Sequence, residues 1–129
     1  MAVLLAYDVK HQSESVLDYA VGYVIAYRTQ LYIMSSVTSK GALDGGKELE
    51  AVKACLEDAK RKATDAGVET FTLIGVGSPA EEILAAAERV DAEAIIVGHS
   101  NKSAIDRIFT GTVSEHVLRH TGRTVIFVR

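Results

Sequence analysis

Five short apolar runs alternate with amphipathic stretches along this chain, and no other feature limits its fold as strongly. The runs are Val3 to Tyr7, Leu31 to Met34, Phe71 to Val76, Ala94 to Val97 and Thr124 to Val128. A strand covered on both faces reads as a continuous apolar run, whereas a half-exposed antiparallel strand alternates. Between the first two runs, Val16, Leu17, Ala20, Val21 and Val24 recur at helical spacing, with Ser13 or Ser15 as cap. Leu49, Val52, Leu56, Ala59 and Ala63 form a second stripe that stops at Gly67, a residue able to turn left-handed past a helix end. The third helix opens at Ser78-Pro79-Ala80-Glu81, which combines a capping serine, a proline at the first helical position and a glutamate three residues after the cap, and it runs to about Val90. The fourth spans about Thr112 to His120. Strands and helices in strict turn imply an α/β fold: a five-stranded parallel open sheet with helices on both faces and right-handed crossovers. Ser36 to Gly46 is expected to be a polar loop.

The 129 residues fit one domain, 1–129, with no repeat or linker, and 48% hydrophobic against 6% aromatic content gives it an aliphatic core. A net charge of −3 with interspersed signs offers no basic stripe, so nucleic acid is not an expected partner. No apolar run approaches the roughly 20 residues that span a bilayer, and Met1 to Asp8 lacks the basic flank and length of a signal segment, so the expected location is cytoplasmic, away from membranes. Cys55 is the single cysteine and sits in a helical pattern, which suits a buried, inert thiol.

Function points to the strand ends. In an open sheet of this kind ligands sit beyond the C-terminal ends of the strands, where the strand order reverses. If the first strand lies beside the fourth, Asp8 and Gly98 form two walls of one crevice, with a Ser36-Val37 turn next to them. Gly98 is followed by two residues, Asn101, nine more residues, and then Gly111-Thr112 at the start of the last helix. Free N–H groups and the positive end of a helix dipole suit a phosphate there. Gly98 and Gly111 permit close backbone approach, while Thr112 and Ser114 offer hydroxyls.

These residues resemble the universal stress protein family over nearly the whole chain: the strand ending in Asp8, Gly77-Ser78-Pro79-Ala80-Glu81-Glu82-Ile83, and the terminal block from Ile95-Ile96-Val97-Gly98 through Gly111-Thr112-Val113-Ser114-Glu115 to Thr124-Val125-Ile126-Phe127-Val128. The resemblance implies a Rossmann-like, adenine nucleotide alpha hydrolase-like sandwich. Its ATP-binding members carry glycine, two residues, glycine, nine residues, and glycine with serine or threonine; here Asn101 replaces the second glycine. Asparagine is the residue that best tolerates a left-handed backbone in glycine's place, and its N–H is unchanged. Carried over from the resemblance, adenine contacts fall on Ala6, Asp8, Ser36 and Val37, and ribose and phosphate contacts on Val97, Gly98, Asn101, Gly111, Thr112, Val113 and Ser114. The ligand so implied is ATP or another adenine nucleotide, with Mg²⁺ as a possible companion.

Other motifs carry less. Gly41-Ala42-Leu43-Asp44-Gly45-Gly46-Lys47 imitates a phosphate loop, but Glu48 stands where a magnesium-holding hydroxyl belongs. Gly75-Val76-Gly77-Ser78-Pro79-Ala80 fits a loose dinucleotide pattern without an acid at the end of the following strand. His116 and His120 share a helix face but lack a third ligand at zinc spacing, and His99, Lys102 and Arg107 sit in the proposed loop with open roles. No nucleophile elbow accompanies a serine, so no catalytic residue is assigned. Thr124 to Val128 is an apolar strand expected at a sheet edge, where a second copy can pair with it about a two-fold axis; the resemblance implies the same homodimer. The leading expectation is a dimeric nucleotide-responsive regulatory module. The alternatives are a protein of the same fold working through protein contacts alone, and a slow ATP-consuming enzyme using the same loop.

Overall fold

The computed structural model describes residues 1–9, 14–43, 45–98 and 113–128. In chain order the elements are β1 (Ala2–Ala6), α1 (Glu14–Tyr27), β2 (Gln30–Val37), α2 (Ser39–Leu43), α3 (Lys47–Asp65), β3 (Thr70–Val76), α4 (Pro79–Arg89), β4 (Ala92–Gly98), α5 (Val113–His120) and β5 (Thr124–Val128). The strands form one sheet in the order β3-β2-β1-β4-β5, every neighbouring pair parallel. The chain therefore builds outward from β1 through β2 to β3, then returns to the other side of β1 with β4.

Period-two alternation divides the strands between two cores. Val3, Leu5, Leu31, Ile33 and Ile96 face one side, where Val16, Leu17, Ala20 and Val24 of α1 and Val52, Leu56, Ala59 and Ala63 of α3 cover them. Leu4, Met34, Ile95 and Val97 face the other side, under Ala80, Ile83, Ala86 and Ala87 of α4 and Val117 of α5. Leu4, Leu5, Leu31, Ile33, Ile95 and Ile96 are all wholly buried, and each side chain of this kind contributes about 1.5–3 kcal/mol relative to exposure. Arg123 anchors the start of β5 by donating to Asp91 Oδ1 at 3.0 Å and to the Ala92 carbonyl at 2.8 Å.

Several boundaries depart from the sequence expectations. β2 runs through Ser36 and Val37, which pair with Gly75 and Val76, so these residues end a strand instead of forming a turn. The expected polar loop contains α2, held by the Thr38 hydroxyl, which accepts from the Gly41 N–H at 2.8 Å. Ser78 stands before α4 but makes no side-chain capping bond; Pro79 and the Glu82 N–H, donating to the Ser78 carbonyl at 3.0 Å, begin that helix. Ser15 lies inside α1, and Ser13 lies outside the described residues. Gly67 does close α3 in a left-handed conformation, φ 89°, and the Val68 N–H donates to the Ala63 carbonyl at 3.1 Å across it.

Candidate nucleotide pocket at the strand ends

The order of the strands reverses between β1 and β4, and a pocket of about 590 Å³ opens along the C-terminal ends of β1, β2 and β4. Ala6, Tyr7, Asp8 and Val9 come from β1 and the residues after it, Met34 to Val37 from β2, and Val97 and Gly98 from β4. Val113, at the start of α5, lines it as well. Of the residues expected at the site, Ala6, Asp8, Ser36, Val37, Val97, Gly98 and Val113 thus share one pocket. Asn101, Gly111 and Thr112 lie outside the described residues, as do His99, Lys102 and Arg107; Ser114 falls in the first turn of α5, with its side chain outside the description.

The strand ends are stiffened where they meet the pocket. The Tyr7 N–H donates to the Met34 carbonyl at 2.8 Å, extending the β1–β2 pairing one residue past β1. The Gly77 N–H donates to the Val37 carbonyl at 2.9 Å, and Gly77 adopts φ 138°, a conformation open to glycine. Gly98 has a reason in the protein's own packing: a Cβ there would lie 2.9 Å from Cγ2 of Val16, so α1 crosses β4 directly over this residue. Gly75 is similar, because a Cβ there would meet Cβ of Glu82 at 2.8 Å. The dinucleotide-like glycines therefore serve the approach of α4 and the turn into it.

Sequence reasoning missed the wall supplied by α3. Glu48, Ala51, Val52 and Cys55 line it, together with Thr38 before α2 and Pro79 and Ile83 of α4. Glu48 Oε1 and Oε2 accept from the Thr38 N–H and hydroxyl, each at 3.4 Å. Only the misfit of Glu48 with a phosphate loop drew attention to it, and the structure agrees: Gly41 belongs to α2 and Lys47 is an exposed first residue of α3. Cys55 is half-buried and faces the pocket, correcting the expectation of a buried thiol. Burial, reinforced by Asp58 and opposed by Lys62, pushes its thiol up from the ordinary 9.0, which keeps it protonated and weakly nucleophilic near neutral pH. Burial likewise raises the Tyr7 phenol above 10.0, with Cys55, Asp58 and Glu14 adding to the effect. His116 and His120 stack with ring centroids 4.2 Å apart, and His120 Nδ1 donates to the His116 carbonyl at 2.8 Å. Among the described residues no cluster of three or more His, Cys, Asp or Glu side chains is placed to hold a metal ion, and no helix is long and apolar enough to cross a membrane.

Comparison with known proteins places this architecture. The model of the universal stress protein family matches residues 1–129. A universal stress protein of Methanocaldococcus jannaschii is 32% identical over 83 residues, covering 64% of this chain and only 51%, about half, of that protein. A protein of Staphylococcus aureus strain USA300 assigned to the same family is 30% identical over 137 aligned positions, covering 98% of this chain and 82% of its own length. Among solved structures, a universal stress protein in complex with cAMP superposes with a TM-score of 0.79 at 23% identity, covering 100% of this chain and 96% of its own. One from Archaeoglobus fulgidus in complex with dAMP gives 0.78 at 23% identity, covering 100% and 98%. At such identities the structural likeness speaks to the fold.

Proposed function

This chain belongs to the universal stress protein family, and from that premise we propose that its strand-end pocket binds an adenine nucleotide, ATP among them. The observation that carries the reading is the pocket's place: it sits over the β1/β4 reversal and gathers Ala6, Asp8, Ser36, Val37, Val97, Gly98 and Val113 around one space. The fit is chemical as well. About 590 Å³ lies within the range of small-molecule sites, and Val37, Val52, Ile83 and Val97 give apolar surface suited to a purine ring. Complexes of structural neighbours with cAMP and dAMP support adenine as the base.

In this reading Ala6, Ser36 and Val37 border the base, and Asp8 accepts from a ribose hydroxyl or the base amine. Val97, Gly98 and Val113 border the ribose, and Asn101, Gly111, Thr112 and Ser114 take the phosphates through backbone N–H groups and hydroxyls. Mg²⁺ accompanies the triphosphate by neutralising its charge. The protein then acts as a cytoplasmic regulatory module, dimeric through Thr124 to Val128, whose partner choice responds to nucleotide. Asn101 in place of the motif glycine is the one feature that favours a second reading, a protein of this fold that works through protein contacts alone.

A ligand that binds only the folded state raises the melting temperature. Millimolar ATP with Mg²⁺ is expected to raise it in the wild type. Gly111→Val, which fills the phosphate space, is expected to abolish the rise, and Asn101→Gly to preserve or increase it. No rise in the wild type supports the second reading.

A further inference from the structure

The pocket has two chemically different ends, and the end away from β4 holds a carboxylate. Glu48 lines it from the first turn of α3, beside Thr38, the residue that follows Val37. Its two contacts with Thr38 are both 3.4 Å long, at the outer limit for hydrogen bonds. A carboxylate has about four acceptor positions, so these long contacts leave it able to accept more. Its location is fixed by α2 as well. A Cβ on Gly41 would fall 1.6 Å from Glu48 Oε2 and 2.3 Å from its carboxyl carbon, so the carboxylate fills the space a side chain at position 41 would take. Gly41 has no positive φ and sits in a helix, so nothing in its backbone demands glycine. The space beside it is taken by the end of a flexible side chain, which a methyl group can push aside.

Building on the adenine-nucleotide reading, we propose that Glu48 is the specificity-determining residue of the pocket, accepting a hydrogen bond from the exocyclic amine of the purine. A negative group at this end repels phosphates and orients the nucleotide with its base toward β2 and its phosphates toward β4 and α5. It also discriminates between bases. Adenine presents an amine donor at its six position, whereas hypoxanthine presents an oxygen, which would leave two acceptors facing each other without a proton. Sites built around a hydrogen bond reject the mismatched analogue far more strongly than apolar sites reject a change of shape.

The test is calorimetric titration of the whole chain with AMP, IMP and GMP, repeated on Glu48→Gln and Gly41→Ala. The wild type is expected to bind AMP at least about tenfold more tightly than IMP. In Glu48→Gln that ratio should fall toward one, chiefly because IMP improves, since a carboxamide can donate to the six-position oxygen. Gly41→Ala keeps Glu48 but displaces its carboxylate with a methyl group. Alanine is the better helix former, so this variant should melt no lower than the wild type while losing the same discrimination. Equal binding of AMP and IMP by the wild type, discrimination unchanged in both variants, or tighter binding of GMP than of AMP overturns the assignment while leaving nucleotide binding intact. Absence of binding by every nucleotide overturns the pocket reading itself, and the assignment with it.

Discussion

Gly98 marks how far a single residue can be read without its neighbours. In the sequence it is a glycine at the end of a strand, where a ligand's phosphate could approach the backbone. In the structure the hydrogen in place of its side chain points at α1, and a Cβ would lie 2.9 Å from Cγ2 and 3.0 Å from Cβ of Val16. Those atoms belong to a short, β-branched side chain on a helix and have little freedom to move aside. Gly98→Ala is therefore expected to lower stability by about 1–3 kcal/mol through overpacking, read as a lower urea midpoint with an unchanged slope. An unchanged midpoint would mean that α1 does not hold Val16 against β4. The same residue also lines the pocket, so its identity serves the packing of α1 whether or not the pocket is filled.

At the scale of elements, the long periodic segments were legible and the short ones were not. The stripe from Leu49 to Ala63 specifies α3, and the apolar runs specify β1 and β4, because burial of a continuous face leaves a repeating record in sequence. Helix α2 leaves none: it is five residues with a glycine at its centre, held by Thr38, whose hydroxyl also makes a long contact with Glu48 ten residues further on. The site divides in the same way. Asp8, Ser36, Val37 and Gly98 followed from topology, since parallel order brings the strand ends together, and Val97 from the family resemblance. Thr38, Glu48, Cys55 and Gly77 reach the pocket through helix packing and turn geometry that no local pattern announces. The capping serine of α4 was over-read, and this yields a contrast between two helix starts. Thr38→Ala removes the 2.8 Å bond to the Gly41 N–H and should cost about 1 kcal/mol. Ser78→Ala removes no side-chain cap and should change stability by less than about 0.5 kcal/mol. Chemical denaturation of the two variants side by side checks this; an equal loss would show that Ser78 does cap α4 in solution.

For the whole molecule, a parallel sheet that is not closed has two edges, among the described residues β3 and β5. Val125, Ile126, Phe127 and Val128 are only half-buried on β5, and an apolar strand at a sheet edge favours association. Two copies joined through Thr124 to Val128 should sediment as a dimer at micromolar concentration; a monomer there removes the proposed assembly without touching the pocket. The central claim is that the space at the β1/β4 reversal holds a nucleotide, and Ala51 allows it to be tested almost in isolation. It is exposed on α3 yet lines the pocket, so Ala51→Trp can occupy that space without entering either core. Calorimetric titration with ATP is expected to give one site per chain in the wild type and no measurable binding in Ala51→Trp, whose ligand-free melting temperature should match the wild type. Wild-type affinity retained by Ala51→Trp, or no binding by the wild type, would contradict the claim.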